Sequence, residues 1–263
     1  MGQTASLPHS DVRDRVSAAE WDVRVDLAAC YRLFARFGWD DGIFTHNSIR
    51  VPGRDDHFLL NPYGFMFREI TASMLVKVDT EGNIVDGGAQ GEDADIIKAG
   101  FTIHSAIHMN SDTAHCVMHT HTTAGTAVSA QEGGLLPLTQ KALRYYNRIG
   151  YHDYEGIADD LEERQRLVRD LGPHKSMILR NHGLLTTGVS VAEAYAMMAG
   201  LQSSCESQLA AQAGGGPLVL PSPEVCEHTA QQFDKFGENQ RANDASFAAL
   251  KRMLDDEDPT YKH

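Results

Sequence analysis

Short apolar runs bounded by turn residues recur along the chain and alternate with longer segments in which apolar residues follow helical spacing. A short apolar run that Gly, Pro, Asn or Asp closes is typical of a buried strand. We predict strands, in chain order, within 42–51 and at 57–60, 75–78, 83–85, 114–121, 176–179 and 184–187. Strands and helices thus mix along the whole chain, which indicates the α/β class.

Capping residues mark where the predicted helices begin and end. Ser17 and Glu20 form a capping-box pattern ahead of an apolar-periodic run that Gly38 ends. Ser190 precedes a long Ala-rich run, 191–213, that three glycines terminate. The same spacing predicts further helices at 100–109, 122–130 and 159–171 and within 224–254.

The chain shows one continuous pattern, without internal repeats or a linker that would separate two cores. We therefore expect a single domain at 17–254. A flexible N-terminal arm at 1–16 is expected to precede it, and an acidic C-terminal tail at 255–263 to follow it.

Composition and charge narrow the classes of protein. The 42% apolar content is globular, and the formal net charge of -13 argues against binding nucleic acid or an anionic membrane surface. No apolar run reaches the roughly 18 residues of a membrane span, and the polar N-terminus has no secretory h-region. The four cysteines are widely and irregularly spaced, so we expect reduced thiols and a cytoplasmic protein.

The strand at 114–121 carries the strongest chemical signal, an H-x-H made by His119 and His121. Residues two apart on a strand share a face, so both imidazoles point the same way. An H-x-H alone is more often part of a core, but His182 in an Asn-His-Gly turn offers a third ligand. Three histidines with an open position are typical of a catalytic divalent metal. Zinc is the first expectation, with Mn, Fe, Co and Ni as alternatives.

Two other polar features leave alternatives open. The segment that closes with Asn61 and Gly64 is as well explained by a plain turn as by a binding turn. His104 and His108 are four residues apart on a predicted helix, where such a pair can bind metal. For His108 we favour a polar helix face instead.

Five motifs in order resemble one known family, that of class II aldolases and adducin. They are Ser48-Ile-Arg50, Asn61-Pro-Tyr-Gly64, His104, His119-Thr-His121 and Asn181-His-Gly183. The resemblance covers about 20–214, and the runs at 70–73, 75–78, 103–108 and 151–156 look most like the adducin-head branch. It implies a single-domain, three-layer α/β/α fold around a mainly antiparallel sheet, and a homotetramer with sites near subunit interfaces. It also implies a divalent metal on His119, His121 and His182.

The chain differs from the family pattern at the position of the glutamate that transfers a proton. Sugar-phosphate aldolases of the family have a Ser-Ser-Glu stretch ahead of the helix histidine, for substrate phosphate and for proton transfer. Counting back from His104, the matching positions are Lys98, Ala99 and Gly100. The Gly-Asn that the family places before its serine strand is also altered, at 45–47. A sugar-phosphate substrate is therefore not expected.

These features predict a metal-dependent lyase that cleaves a C–C bond of a small non-phosphorylated hydroxy or oxo acid. The metal would act as a Lewis acid that stabilises an enediolate-like carbanion. Decarboxylation fits better than retro-aldol cleavage, because it needs an electron sink but no base for a hydroxyl proton. His104 and His46 are the catalytic candidates, with the polar cluster at 145–155 beside them. The expected substrate-binding residues are Ser48, Asn61, Gly64 and Lys98.

Two alternatives remain at the level of sequence. One is a sugar-type aldolase that uses a different base. The other is an adducin-like interaction module without catalysis. The complete histidine triad argues against the module, because a silent fold has no need of three converging imidazoles.

Overall fold

The computed structural model describes residues 10–111, 113–156, 163–237 and 240–263. The strands in these ranges are β1 (Asn47–Arg50), β2 (His57–Leu60), β3 (Val76–Asp79), β4 (Ile84–Asp86), β5 (Cys116–Thr120), β6 (Gly150–His152), β7 (Ser176–Leu179) and β8 (Gly183–Gly188). The α-helices are α1 (Ser10–Arg15), α2 (Ala18–Phe37), α3 (Lys98–Asn110), α4 (Thr123–Ser129), α5 (Gln140–Leu143), α6 (Glu163–Leu171), α7 (Val191–Ala213), α8 (Pro223–Gly237) and α9 (Gln240–Glu257). Short 3-10 segments lie at Phe67–Glu69, Ala72–Met74, Gly88–Asp93 and Pro259–Lys262.

The strands form one eight-stranded sheet in the order β4-β3-β2-β1-β5-β8-β7-β6. Neighbouring strands are antiparallel, with the exception of the parallel pair β6 and β7. This confirms the expected α/β fold with a mainly antiparallel sheet. Strand β6 lies in a stretch that sequence reasoning described only as an aromatic and polar cluster.

Both faces of the sheet are covered, which makes three layers. Along β5, Cys116 and Met118 lie in the apolar core that includes residues of α2 and α7. Val117, between them, lies in a second core that includes residues of α3 and α6 on the opposite face. Because side chains alternate along a strand, a strand covered by helices on both faces is apolar throughout. The α/β/α layering is therefore confirmed.

Helix α2 begins and ends where its capping residues predict. The Ser17 hydroxyl accepts a hydrogen bond from the Glu20 N–H at 3.1 Å, and Gly38 ends the helix at a positive φ of 69°. The Glu20 carboxylate does not complete the capping box. It pairs instead with buried Arg24 at 3.0 Å and with Lys77 at 2.8 Å, which ties the helix start to β3.

Strand pairing brings three chain segments to one edge of the sheet. Asn47, at the start of β1, lies opposite Met118 near the end of β5. Thr120, the last residue of β5, lies opposite Leu184 just after the turn from β7 to β8. The start of β1, the end of β5 and the β7–β8 turn are therefore neighbours, and α3 packs on the sheet beside them.

Both chain ends differ from expectation. Ser10–Arg15 form α1, and Val12 is buried in the core, so this part of the expected flexible arm packs on the domain. Residues 1–9 lie outside the described ranges. The expected acidic tail also packs, because Tyr261 is completely buried and its hydroxyl donates to Asp255 at 2.8 Å. The charge of the segment suggested an exposed tail, but its aromatic residue Tyr261 buries its ring and packs the segment on the domain.

Among the described residues, none of the helices combines the length and the apolar character that crossing a membrane requires.

Replacing Tyr261 with Ala should lower the free energy of unfolding by about 3–5 kcal/mol, because a buried ring leaves a cavity and its hydroxyl bond is lost. Urea denaturation measures the change. Tyr63→Ala is the matched control, since Tyr63 is 45% exposed and should cost far less. Equal costs for the two variants would mean that 258–263 does not pack as described.

Candidate metal centre

The Asn-His-Gly turn has the backbone that its residue types permit. Asn181 has a positive φ of 56°, a left-handed conformation that Asn tolerates better than most residues. A Cβ on Gly183 would lie 2.3 Å from the Thr120 carbonyl oxygen, so only glycine lets β8 approach the end of β5. The Thr126 hydroxyl of α4 donates to the His182 carbonyl at 3.3 Å. The turn is thereby held with the His182 side chain beside β5.

Three imidazoles converge at this edge of the sheet. Nε2 of His121 lies 2.7 Å from Nε2 of His119 and 2.8 Å from Nε2 of His182. His119 is almost completely buried, while His121 and His182 are partly exposed. The structure therefore brings together the three residues that the sequence predicted as metal ligands, with one side of the cluster open to solvent.

Hydrogen bonds on the far side of two rings determine which nitrogen carries the proton. Nδ1 of His119 lies 2.9 Å from the Leu184 carbonyl oxygen, and Nδ1 of His121 lies 3.0 Å from the Asp41 carboxylate. Since both oxygens only accept, both Nδ1 atoms carry protons, which leaves Nε2 as the atom whose lone pair a neutral ring offers to a metal. Burial, with the neighbouring His182, holds the pKa of His119 well below its usual value and keeps that ring neutral.

Converging lone pairs repel unless a positive charge lies between them. Metal-ligating histidines in proteins typically donate their other ring N–H to a carbonyl or carboxylate. His119 and His121 do this through Leu184 and Asp41. Burial likewise lowers the pKa of His182 to about 4, which leaves its nitrogen free to bind a metal at neutral pH. The donor set therefore fits a divalent metal ion.

A second group of imidazoles lies behind the triad. The His46 ring centroid is 4.3 Å from that of His104 and 5.7 Å from that of His119. Both rings are buried. Within the described residues, neither nitrogen of His46 nor Nε2 of His104 has a side-chain hydrogen-bond partner, and the His46 ring also lies against the backbone at Phe44 and Gly100. Burial, then the proximity of His121 and His182, lowers the pKa of His46 to about 3. Two neutral imidazoles thus lie beside the candidate metal ligands with unused nitrogens.

Gly100 and His46 occupy one space between them. A Cβ on Gly100 would lie 2.5–2.6 Å from three atoms of the His46 ring. This is the position at which the family resemblance places a proton-moving glutamate. The missing side chain is therefore not an empty gap, because the His46 ring fills the volume next to the Gly100 backbone.

Two of the expected substrate-binding residues, Ser48 and Asn61, have buried side chains. Ser48 is fully buried, and its hydroxyl contacts Nδ1 of His104 at 2.6 Å and Nε2 of His108 at 2.7 Å. Asn61 is 2% exposed, and its side-chain oxygen accepts from the Tyr31 hydroxyl at 2.8 Å. Both polar groups are satisfied inside the protein, so neither is available to a substrate.

The other residues that the sequence singled out lie in different environments. Gly64 forms an exposed turn at a positive φ of 87°, while the side chain of Lys98 lies outside the described residues. His108 is 3% exposed, which corrects the expected polar helix face. In the cluster at 145–155, the buried Tyr145 hydroxyl donates to the Met197 carbonyl at 2.6 Å and is therefore structural.

Asp41 is the residue that sequence reasoning missed. It lies in the loop between α2 and β1, with a half-exposed carboxylate that pairs with His121. An acidic residue in a polar loop carries no local signal of such a role. Its link to His121 becomes visible only when strand pairing has brought the two segments together.

Asp41→Asn should weaken metal binding by about 10–100-fold, because partners that orient a metal-ligating histidine typically contribute that much. Competition with a chelating indicator measures the affinity. Asp40→Asn removes the same charge from the adjacent position and should leave the affinity near that of the unmodified protein. Equal affinities for both variants would contradict the assigned role of Asp41.

Gly100→Ala should destabilise the protein by about 1–3 kcal/mol, because the new methyl group would overlap the His46 ring. In a His46→Ala background the same change should become neutral or stabilising by up to about 1 kcal/mol, since Ala favours a helix over Gly. A double-mutant cycle of urea denaturation measures this coupling. Additive effects would show that the two residues do not share this space.

The chain is similar to known proteins over nearly its whole length. The sequence is similar over 256 residues, at 48% identity, to a Caulobacter vibrioides protein provisionally named a class 2 aldolase, covering 97% of this chain and 98% of that one. It is 41% identical over 263 residues to rat alpha-adducin, covering 94% of this chain and 35% of that protein. The chain therefore spans about a third of the adducin.

Solved structures show the same fold. An aldolase II superfamily protein from Pseudomonas syringae matches with a TM-score of 0.90 at 50% identity, covering 96% of this chain and 99% of that one. The L-fuculose 1-phosphate aldolase from Glaciozyma antarctica matches with a TM-score of 0.78 at 30% identity, covering 91% and 92%. The model of the Class II Aldolase and Adducin N-terminal domain matches residues 25–209, and the chain belongs to that family.

Proposed function

We propose that this protein is a divalent-metal-dependent lyase that cleaves a C–C bond of a small, non-phosphorylated hydroxy or oxo acid. The observation that carries the proposal is the convergence of three Nε2 atoms, two of them with their protons fixed on the far side of the ring. Membership of the family supports an aldolase-like lyase or an adducin-like role.

The ligands would be His119, His121 and His182, and we propose zinc as the ion. When bound, a divalent ion supplies Lewis-acid polarisation of a substrate oxygen and an electron sink for the cleaved bond. The chain's own contribution begins with orientation. Leu184 and Asp41 hold two ligand rings in place, and the partly exposed His121 and His182 leave an approach for a small molecule.

His46 and His104 are the proposed proton handlers. They lie where the resemblance places a carboxylate, and their unused nitrogens are buried beside the triad. A neutral imidazole accepts a proton through its lone pair and returns it from the same nitrogen. Burial lowers the pKa of both imidazoles, so each is a weaker base than an exposed histidine, which favours a reaction that needs little base strength.

Decarboxylation is such a reaction. The bond to the carboxylate carbon breaks, CO2 leaves, and its electron pair stays on the substrate until a proton arrives. Retro-aldol cleavage requires in addition that a base removes a hydroxyl proton. With Gly100 in place of the glutamate, the first reaction demands less of the residues present.

An aldolase that uses a different base is the second candidate. The family name and the 30% identity to a protein titled an L-fuculose 1-phosphate aldolase favour it. A non-catalytic adducin-like module is the third, favoured by the similarity to alpha-adducin. The intact triad with its proton-fixing partners argues against the module, because these contacts are costly to bury without a ligand.

We also propose a homotetramer with a small-molecule substrate, located in the cytoplasm. Phe44, two residues before His46, is 60% exposed, and Val219 is 88% exposed. Adjacent exposed apolar side chains, as at Leu218, Val219 and Leu220, are typical of an interaction surface. Cys30, Cys116, Cys205 and Cys226 are free and buried, which suits a reducing compartment.

Metal analysis and activity assays together test the proposal. We expect about one equivalent of divalent metal per chain, CO2 release from hydroxyaryl carboxylates, loss of activity on chelation and recovery on metal addition. His119→Ala should lose both metal and activity. His228→Ala, which removes an exposed histidine of α8, should lose neither.

The results of these assays distinguish the decarboxylating lyase, the aldolase and the interaction module. Aldehyde-dependent aldol activity without CO2 release would favour the aldolase. Clearly substoichiometric metal with no uptake on addition would overturn the lyase and leave the interaction module.

A further inference from the structure

A buried line of hydrogen bonds runs from the loop before β5 to His104. Nδ1 of His108 lies 3.0 Å from the Ala114 carbonyl oxygen, and its Nε2 lies 2.7 Å from the Ser48 hydroxyl. The same hydroxyl lies 2.6 Å from Nδ1 of His104. All three side chains are at most 3% exposed, so water does not compete for these bonds. The proposed chemistry uses neither Ser48 nor His108.

The Ala114 carbonyl oxygen, at one end, determines the position of every proton in this series of hydrogen bonds. A carbonyl oxygen only accepts, so Nδ1 of His108 carries a proton. In a neutral ring Nε2 is then a lone pair, and the Ser48 hydroxyl must donate to it. That hydroxyl has a single proton, so toward His104 it can only accept. Nδ1 of His104 therefore carries a proton, and its Nε2 carries a lone pair.

The opposite direction would require a buried cation. If Ser48 donated to His104, both nitrogens of His108 would have to carry protons. Burial, together with the guanidinium of Arg50, lowers the pKa of His108 to about 3 and opposes that charge. The Arg50 guanidinium also donates to the His108 carbonyl, which keeps this positive group beside the ring. The hydrogen bonds therefore point in one direction, with His104 donating to Ser48, Ser48 to His108 and His108 to the Ala114 carbonyl.

We propose that Ala114, His108 and Ser48 form a relay that holds His104 as the Nδ1–H tautomer, with its Nε2 lone pair kept free next to His46. Among the residues that the structure describes, Nε2 of His104 is buried without a hydrogen-bond partner, and the His46 ring is 4.3 Å away between centroids. Ser48 and His108 are positioning residues, since they act on the reaction only through His104. Use of the lone pair as a proton acceptor rests on the proposed lyase, whereas the tautomer does not.

The tautomer can be read directly by two-bond ¹H–¹⁵N correlation spectra of protein labelled with ¹⁵N-histidine and loaded with zinc, which is diamagnetic. Loss of one set of signals in His104→Gln assigns the ring. In the unmodified protein we expect the His104 proton on Nδ1. A proton on Nε2 would overturn the relay, whether or not any variant folds.

Two variants and a control test the direction. In His108→Leu the Ser48 hydroxyl loses its acceptor and should donate to Nδ1 of His104, so that the His104 proton moves to Nε2. In Ser48→Ala the preference should be lost, and signals of both tautomers should appear. Ser176→Ala removes a fully buried strand hydroxyl that has no hydrogen-bond partner in the described parts of the chain, and it should leave the His104 signals unchanged.

The outcomes separate this inference from the lyase. A His104 proton that stays on Nδ1 in His108→Leu overturns the relay, because a merely structural role for His108 would give that result. The measurement needs no substrate. An inactive protein with the expected tautomers would therefore refute the lyase and keep the relay.

Discussion

The pairing of β5 with β1 on one side and β8 on the other is the constraint on which the centre depends. It places His119 on a strand covered by helices on both faces and sets the Asn-His-Gly turn beside the end of that strand. The turn can approach only because residue 183 has no Cβ. The candidate ligands His119 and His182 are thus positioned by backbone pairing, which lowers the cost of ordering them around an ion.

At the same edge of the sheet, the His46 ring fills the space into which a side chain at position 100 would extend. A carboxylate on α3 and an imidazole just before β1 would compete for one volume, and this protein has the imidazole. The exchange alters the chemistry as well as the shape. A carboxylate is charged at neutral pH, whereas His46, with its pKa lowered by burial to about 3, is neutral and can both accept and donate a hydrogen bond.

Local signals gave the elements correctly where caps and turns are encoded by neighbouring residues. Strands 57–60 and 176–179 and helix 191–213 have the predicted bounds. The hydrogen-bond partners of the site histidines could not be predicted from such local signals. Ser48 meets His108 from 60 residues away in sequence, and Asp41 meets His121 from 80. Buried polar groups find partners through strand pairing, which no short pattern reveals.

The wide spacing of these partners also bears on how the protein folds. The His119 amide bonds the Asn47 side chain across 72 residues, and the His119 ring bonds the Leu184 carbonyl across 65. Loop closure over such separations is slow compared with forming helices or hairpins. The three imidazoles therefore come together only after most of the sheet has assembled. An ion captured by a partly folded chain would meet at most the local pair His119 and His121, so the full set with His182 would form only at the end of folding.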